Sequence, residues 1–195
     1  MGQYYIPTFL RKRNEKPQLI PEYGINPHRL MDGLKLGEGG WAYSPTMFFT
    51  ETKLMEYGEQ GSHFAYAGDY EPRNPNVEII PIGNGDIESN TYNTICDRTH
   101  NCEMKDFNSN EYAKWKNDRV LRYFVNHDKK QYVPLNITFT EDEISPLAFL
   151  CYAGDKYDQY WYGIDREDEL IGAWAYDRVA ILNEKPKDYE NIEPK

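Results

Sequence analysis

Apolar and polar residues alternate along Leu121-Arg122-Tyr123-Phe124-Val125 and again along Gln131-Tyr132-Val133-Pro134-Leu135, with a polar turn between them. A side-chain period of two on both sides of such a turn predicts a half-buried antiparallel hairpin. An earlier hairpin is predicted from residues 3–10, rich in β-formers, through the basic, turn-prone residues 11–17 to a short return strand near residues 18–20. Each hairpin leads towards a Ser-Pro pair, Ser44-Pro45 and Ser145-Pro146. Serine is a good N-cap, and proline at the first helical position loses no hydrogen bond. From Pro45 the period becomes helical, with Met47, Phe48, Leu54 and Met55 apolar and Gly58 as the stop. The run from Pro146 to Gly154 is shorter, and reads as a helix or a buried strand.

A polar loop and a closing strand follow each helix, at residues 66–70 and then 77–82 in the first half, and at residues 174–181 in the second. Residues 83–118 form a polar insertion with one short helix near residues 111–116, and the charged tail 184–195 is expected to fray. Three segments recur in the same order, roughly 100 to 120 residues apart. They are Tyr4-Tyr5-Ile6-Pro7 with Arg122-Tyr123-Phe124-Val125, the two Ser-Pro runs, and Ala65-Tyr66-Ala67-Gly68-Asp69-Tyr70 with Ala173-Trp174-Ala175-Tyr176-Asp177-Arg178. Such order points to an internal repeat. The expected fold is α+β: two related hairpin–helix–strand units, residues 1–82 and 119–183, packed as one pseudo-two-fold globule with mixed, mainly antiparallel sheets.

Composition narrows the partners. The net charge of -10 is spread unevenly, with residues 114–136 the only clearly basic stretch, which excludes a general electrostatic footprint for nucleic acid. The 17 tyrosines can cover a small β-rich core or build a recognition surface. The first residues do not read as a leader, and no apolar run approaches a membrane span. Three cysteines, an odd number, favour reduced thiols, so a bacterial cytoplasm is expected.

The opening Met1-Gly2-Gln3-Tyr4-Tyr5, the hairpin Tyr123 to Tyr132 and the closing Gly172-Ala173-Trp174-Ala175-Tyr176-Asp177-Arg178 together resemble an uncharacterised family of small bacterial and phage proteins. Those open Met-Gly-Gln-Tyr and close on Trp-Ala-Gly-Asp-Arg before a strand. The chain resembles two such units in tandem, departing at Tyr176, where the family carries Gly. In the first half Gly68 is kept, with Tyr66 and Tyr70 in place of the family's Trp and Arg. The resemblance implies a fold and a phage or mobile-element origin, and implies no activity.

Three constellations have chemical potential. Cys96, His100 and Cys102 offer thiolates and an imidazole for zinc, but the spacing lacks a tight Cys-x2-Cys knuckle and ordinary loop residues are preferred. Asp69 and Asp177, at corresponding places in the echo, could form a carboxylate pair for a divalent cation or for general acid–base work, with Arg178 beside them. The plainer expectation is that each caps a turn, with Asp177 paired to a cation. Asp155, Tyr157, Asp158, Tyr160, Trp161 and Tyr162 alternate acids with aromatics as a recognition surface does, and Tyr66 and Trp174 would extend it. No nucleotide-binding glycine loop, nucleophile elbow or metalloprotease helix is found. The leading expectation is therefore a non-enzymatic binding protein without a cofactor, acting on a host protein as an inhibitor or sequestering a small ligand. The alternative is a small metal-dependent hydrolase of phosphodiesterase type using Asp69, Asp177 and Arg178.

Overall fold

A computed structural model describes residues 5–12, 18–25, 44–69, 71–78, 90–96, 109–117, 120–137, 144–154 and 170–192. They form an α+β protein with one eight-stranded, mainly antiparallel sheet. The strands are β1 (Tyr5–Lys12), β2 (Leu19–Gly24), β3 (Ser62–Gly68), β4 (Tyr123–Asn126), β5 (Gln131–Pro134), β6 (Tyr152–Ala153), β7 (Arg178–Leu182) and β8 (Glu190–Asn191). Among the described residues the helices are α1 (Pro45–Glu56), α2 (Thr91–Cys96), α3 (Ser109–Asn117) and α4 (Pro146–Leu150). None is long and apolar enough to cross a membrane.

Both predicted hairpins form, β1 with β2 and β4 with β5. Both Ser-Pro pairs start helices. Ser44 accepts from the Met47 amide at 3.1 Å, and Ser145 accepts from the Leu147 amide at 3.4 Å. The spatial order is β2-β1-β3-β7-β4-β5-β8. One edge of β3 is shared: β7 pairs antiparallel with its first residues, and β6 pairs parallel with Tyr66 and Ala67. Phe9, Phe64 and Tyr66 belong to the main core, with Met47 of α1 against the Tyr66 hydroxyl at 3.5 Å. Leu10, Leu19 and Val77 form a smaller cluster capped by Tyr176.

Three expectations change. The closing strand of the first half starts earlier, at Ser62, so Ala65 to Gly68 lie inside β3. Their echo from Ala173 to Asp177 is instead a series of tight turns before β7, closed by the Ala175 amide on Gly172 and the Asp177 amide on Trp174. Asp69 and Asp177 therefore do not occupy corresponding places. The tail does not fray through residue 192: β8 pairs with β5, the Glu190 and Ile192 amides donate to Lys130 and Tyr132, and Ile192 packs on the core. The open β5 edge, Ile192 and the Tyr189 hydroxyl beside His127 hold the charged tail down. In the insertion α2 forms too, burying Thr91, Thr94 and Ile95.

Candidate functional site

The apolar stripe of α1 carries a carboxylate. Glu51 stands three or four residues from each of Met47, Phe48, Leu54 and Met55, so it lies on their face of the helix. It is 8% exposed. Its Oε2 accepts the indole N–H of Trp115 at 2.8 Å and faces Nη1 of Arg122 at 3.7 Å. Burial pushes its pKa up to about 7, against the opposing pull of the Trp115 hydrogen bond and the Arg122 charge.

Trp115 comes from α3, where it stacks on Tyr112 and meets Phe48 of α1 edge-on at 5.5 Å. Arg122 immediately precedes β4, fixed by its carbonyl accepting the Leu135 amide at 2.9 Å. Its Nε is buried and has no hydrogen-bond partner among the described residues. A buried donor left unmade costs on the order of 1–3 kcal/mol. Glu51, Trp115 and Arg122 share a cleft of about 640 Å³ with Phe48, Met55 and Val120 as apolar walls and Glu56, Glu111 and Lys114 also in its lining. That size lies within the roughly 300–1,000 Å³ of small-molecule sites. Val120 is 58% exposed and adjoins the equally unusual exposed Leu121.

A second buried carboxylate, Glu71, lies after β3. It accepts from the Tyr176 hydroxyl at 2.7 and 2.8 Å, with Thr91 at 3.0 Å from the same hydroxyl. Burial raises its pKa to about 7, while bonds from Thr91, Tyr176 and the Gly68 amide lower it. Burial and the neighbouring Glu71 raise the Tyr176 phenol in turn. A smaller cavity of about 320 Å³ adjoins this pair, lined also by Arg73, Asn74, Tyr152 and Gly172.

The residues singled out in the sequence are placed differently from one another. Asp177 accepts from Asn126 at 2.7 Å and is ion-paired with Lys129, which makes it a clamp on the β4–β5 turn. Its expected cation is thus Lys129 rather than Arg178, which turns to Asp128 through its amide at 2.8 Å. Asp69 follows β3 in a turn, and its carbonyl accepts from Asn90 at 2.9 Å. The Phe64 amide donates to the Asp177 carbonyl, and Asp69 lies five residues beyond Phe64. A rise of ~3.3 Å per residue separates the two aspartates by on the order of 15 Å along the strand. They are not a pair.

Tyr66 and Trp174 are core residues at 1% and 0% exposure, with no face to offer a partner. Asp155, Tyr157, Asp158, Tyr160, Trp161 and Tyr162 lie outside the described residues, as do His100, Cys102 and the side chain of Cys96. Cys151 is buried, and burial raises its thiol well above the ordinary value. Among the described residues no three His, Cys, Asp or Glu are grouped to hold a metal ion. Glu51 escaped the sequence reading, although its place on an apolar helical stripe marks it. Arg122 and Trp115 carry no local signal, since only the tertiary fold brings them to Glu51. No protein-family model, curated protein or solved structure matches the chain.

Proposed function

We propose that this protein is a non-enzymatic binding protein, and that the cleft between α1, α3 and the start of β4 takes a small organic ligand. The observation that carries this reading is the Arg122 guanidinium, partly exposed and without a hydrogen-bonded side-chain partner among the described residues, beside the Glu51 carboxyl in a cleft with apolar walls. A few convergent polar groups in a largely apolar concavity are what small-ligand recognition uses. The one hydroxyl among the described lining residues, on Thr52, is committed to the Phe48 carbonyl at 2.8 Å. The hydrolase reading has no comparable support, with Asp177 clamped by Lys129 and Asn126 and distant from Asp69.

The test is protein-observed NMR against a panel of small organic molecules. Binders should perturb α1, α3 and residues 120–122 together, and Val120→Trp, which narrows the cleft from an exposed position, should weaken them. Perturbations gathered elsewhere, or binders indifferent to Val120→Trp, would refute the assignment.

The strand order also supports descent of both halves from one unit. With the tail strand β8 set aside, the sheet read from either end gives outer hairpin strand, inner hairpin strand and closing strand, as β2-β1-β3 and as β5-β4-β7, and the two closing strands are antiparallel. A two-fold axis between β3 and β7 fits that order, and each half has a helix opened by a Ser-Pro cap. A phage or mobile-element origin is proposed on the family resemblance, and a host protein as a further partner on the acidic, aromatic residues 155–162.

A further inference from the structure

We infer that the ligand of this cleft is an apolar molecule with a carboxylate head, docked on the Arg122 guanidinium beside Glu51; the inference rests on the cleft being a binding site. Arginine cannot be deprotonated, so its guanidinium is a permanent set of donors; Nε is enclosed, but the side chain is 21% exposed and lines the cleft, with no hydrogen-bonded acceptor among the described residues. Glu51 does not fill that need: its contact is to Nη1 at 3.7 Å, too long for a hydrogen bond, and its Oε2 is already engaged by Trp115. A ligand carboxylate meeting the exposed part of that guanidinium supplies an acceptor in the planar, charge-assisted geometry it favours. An ammonium head would instead set a further cation against Arg122 and Lys114. The body of the ligand rests on Phe48, Trp115, Met55 and Val120.

A second carboxylate beside Glu51 has a consequence for protons. Like charges in one site raise the more easily protonated member, and burial has already brought Glu51 close to neutrality. The other charged or titratable groups around it are Glu56 on α1, Lys114 and Glu111 on α3, Arg122, and the buried Tyr66 phenol of β3. Lys114 and Arg122 are the only cations among them, so binding draws a proton from solvent onto Glu51.

Titration calorimetry with phenylbutyrate and phenylbutylamine, which share one apolar body, tests this near neutral pH in two buffers of different ionisation enthalpy. Phenylbutyrate should bind about tenfold or more tightly than the amine and take up protons. Glu51→Gln should abolish the uptake and bind at least as tightly, because it removes the charge that opposes the ligand carboxylate, and Arg122→Gln should cost about tenfold or more in affinity. If Arg122→Gln does not fold, proton uptake by the unmodified protein and its loss in Glu51→Gln decide, and absence of uptake overturns the inference. An amine that binds the cleft as tightly as the acid overturns the carboxylate class and leaves the site standing. If neither compound perturbs α1, α3 or residues 120–122 in NMR spectra, the class and the site fail together.

Discussion

The Tyr176 hydroxyl meets both carboxylate oxygens of Glu71, at 2.7 and 2.8 Å, from a backbone held in the left-handed region at φ 70°. A tyrosine there costs on the order of 1 kcal/mol relative to glycine. The chain gains a partner for a buried carboxyl and a ring packed on Leu10, Leu19 and Val77. Tyr176→Phe keeps the ring and the strain and removes the bond, so it should cost about 1–2 kcal/mol in urea unfolding. Tyr176→Gly relieves the backbone but deletes the ring as well, and should be the less stable of the two because a lost aromatic side chain costs about 3 kcal/mol or more. A glycine variant more stable than the unmodified protein would refute this account.

Glu51 and Glu71 both titrate at about 7 in the folded chain, against an ordinary 4.5. Their folded pKa values are raised, so the folded state binds these protons more tightly than the unfolded one. The stability they allow is full below about 4.5 and falls as pH rises through about 7. At 1.36 kcal/mol per pH unit the loss is on the order of 3 kcal/mol for each group at most. Urea midpoints measured across this range should decline for the unmodified chain, and Glu51→Gln with Glu71→Gln should flatten the decline. An unaltered slope in the double variant would count against burial as its cause.

Gly172 sits at φ 68°, and a Cβ there would lie 2.5 Å from the Tyr152 carbonyl oxygen of β6. Gly58, at φ 56° after α1, faces open space. Alanine at 58 should therefore cost only about 1 kcal/mol, for the left-handed backbone alone. Alanine at 172 adds a clash with backbone that cannot turn aside, and should cost about 2 kcal/mol or more beyond that. Thermal unfolding of the two variants compares them directly, and equal losses would show that the β6 contact is not tight.

Hairpins and helix starts were legible because they are written locally. The alternation around Tyr123 and Tyr132 and the Ser-Pro pairs at 44 and 145 need no distant partner to be read. The third echo misled because Ala65 to Gly68 and Ala173 to Tyr176 share composition while one is extended and the other turned. The backbone at Gly172 and Tyr176 makes that difference, and a side-chain pattern does not encode it. The Glu51 cleft was half legible: the helical period places its carboxylate, whereas Arg122 looks like one more alternating polar residue of a hairpin. Its meeting with Glu51 depends on β4 pairing with β7, against which α1 packs, and that is a long-range property.

His127 links the tail to the sheet and carries the opposite pH dependence to the two glutamates. Its Nδ1 and the Tyr189 hydroxyl lie 3.0 Å apart, and its buried Nε2 has no partner among the described residues. Burial lowers its pKa below the ordinary 6.5, with Arg178 adding to the shift and Asp128 and Glu59 opposing it. A lowered folded pKa means that the unfolded state binds the proton more tightly. The stability His127 permits is therefore present above about 6.5 and lost as pH falls through its folded value. The tail should feel this first, since β8 is a short edge strand held by the Glu190 and Ile192 amides on Lys130 and Tyr132. Hydrogen-exchange protection at those two amides should fall relative to β7 as pH drops below about 6.5, after correction for intrinsic exchange. His127→Gln removes the titrating group and should hold the ratio constant. A ratio that falls equally in His127→Gln would place the sensitivity elsewhere.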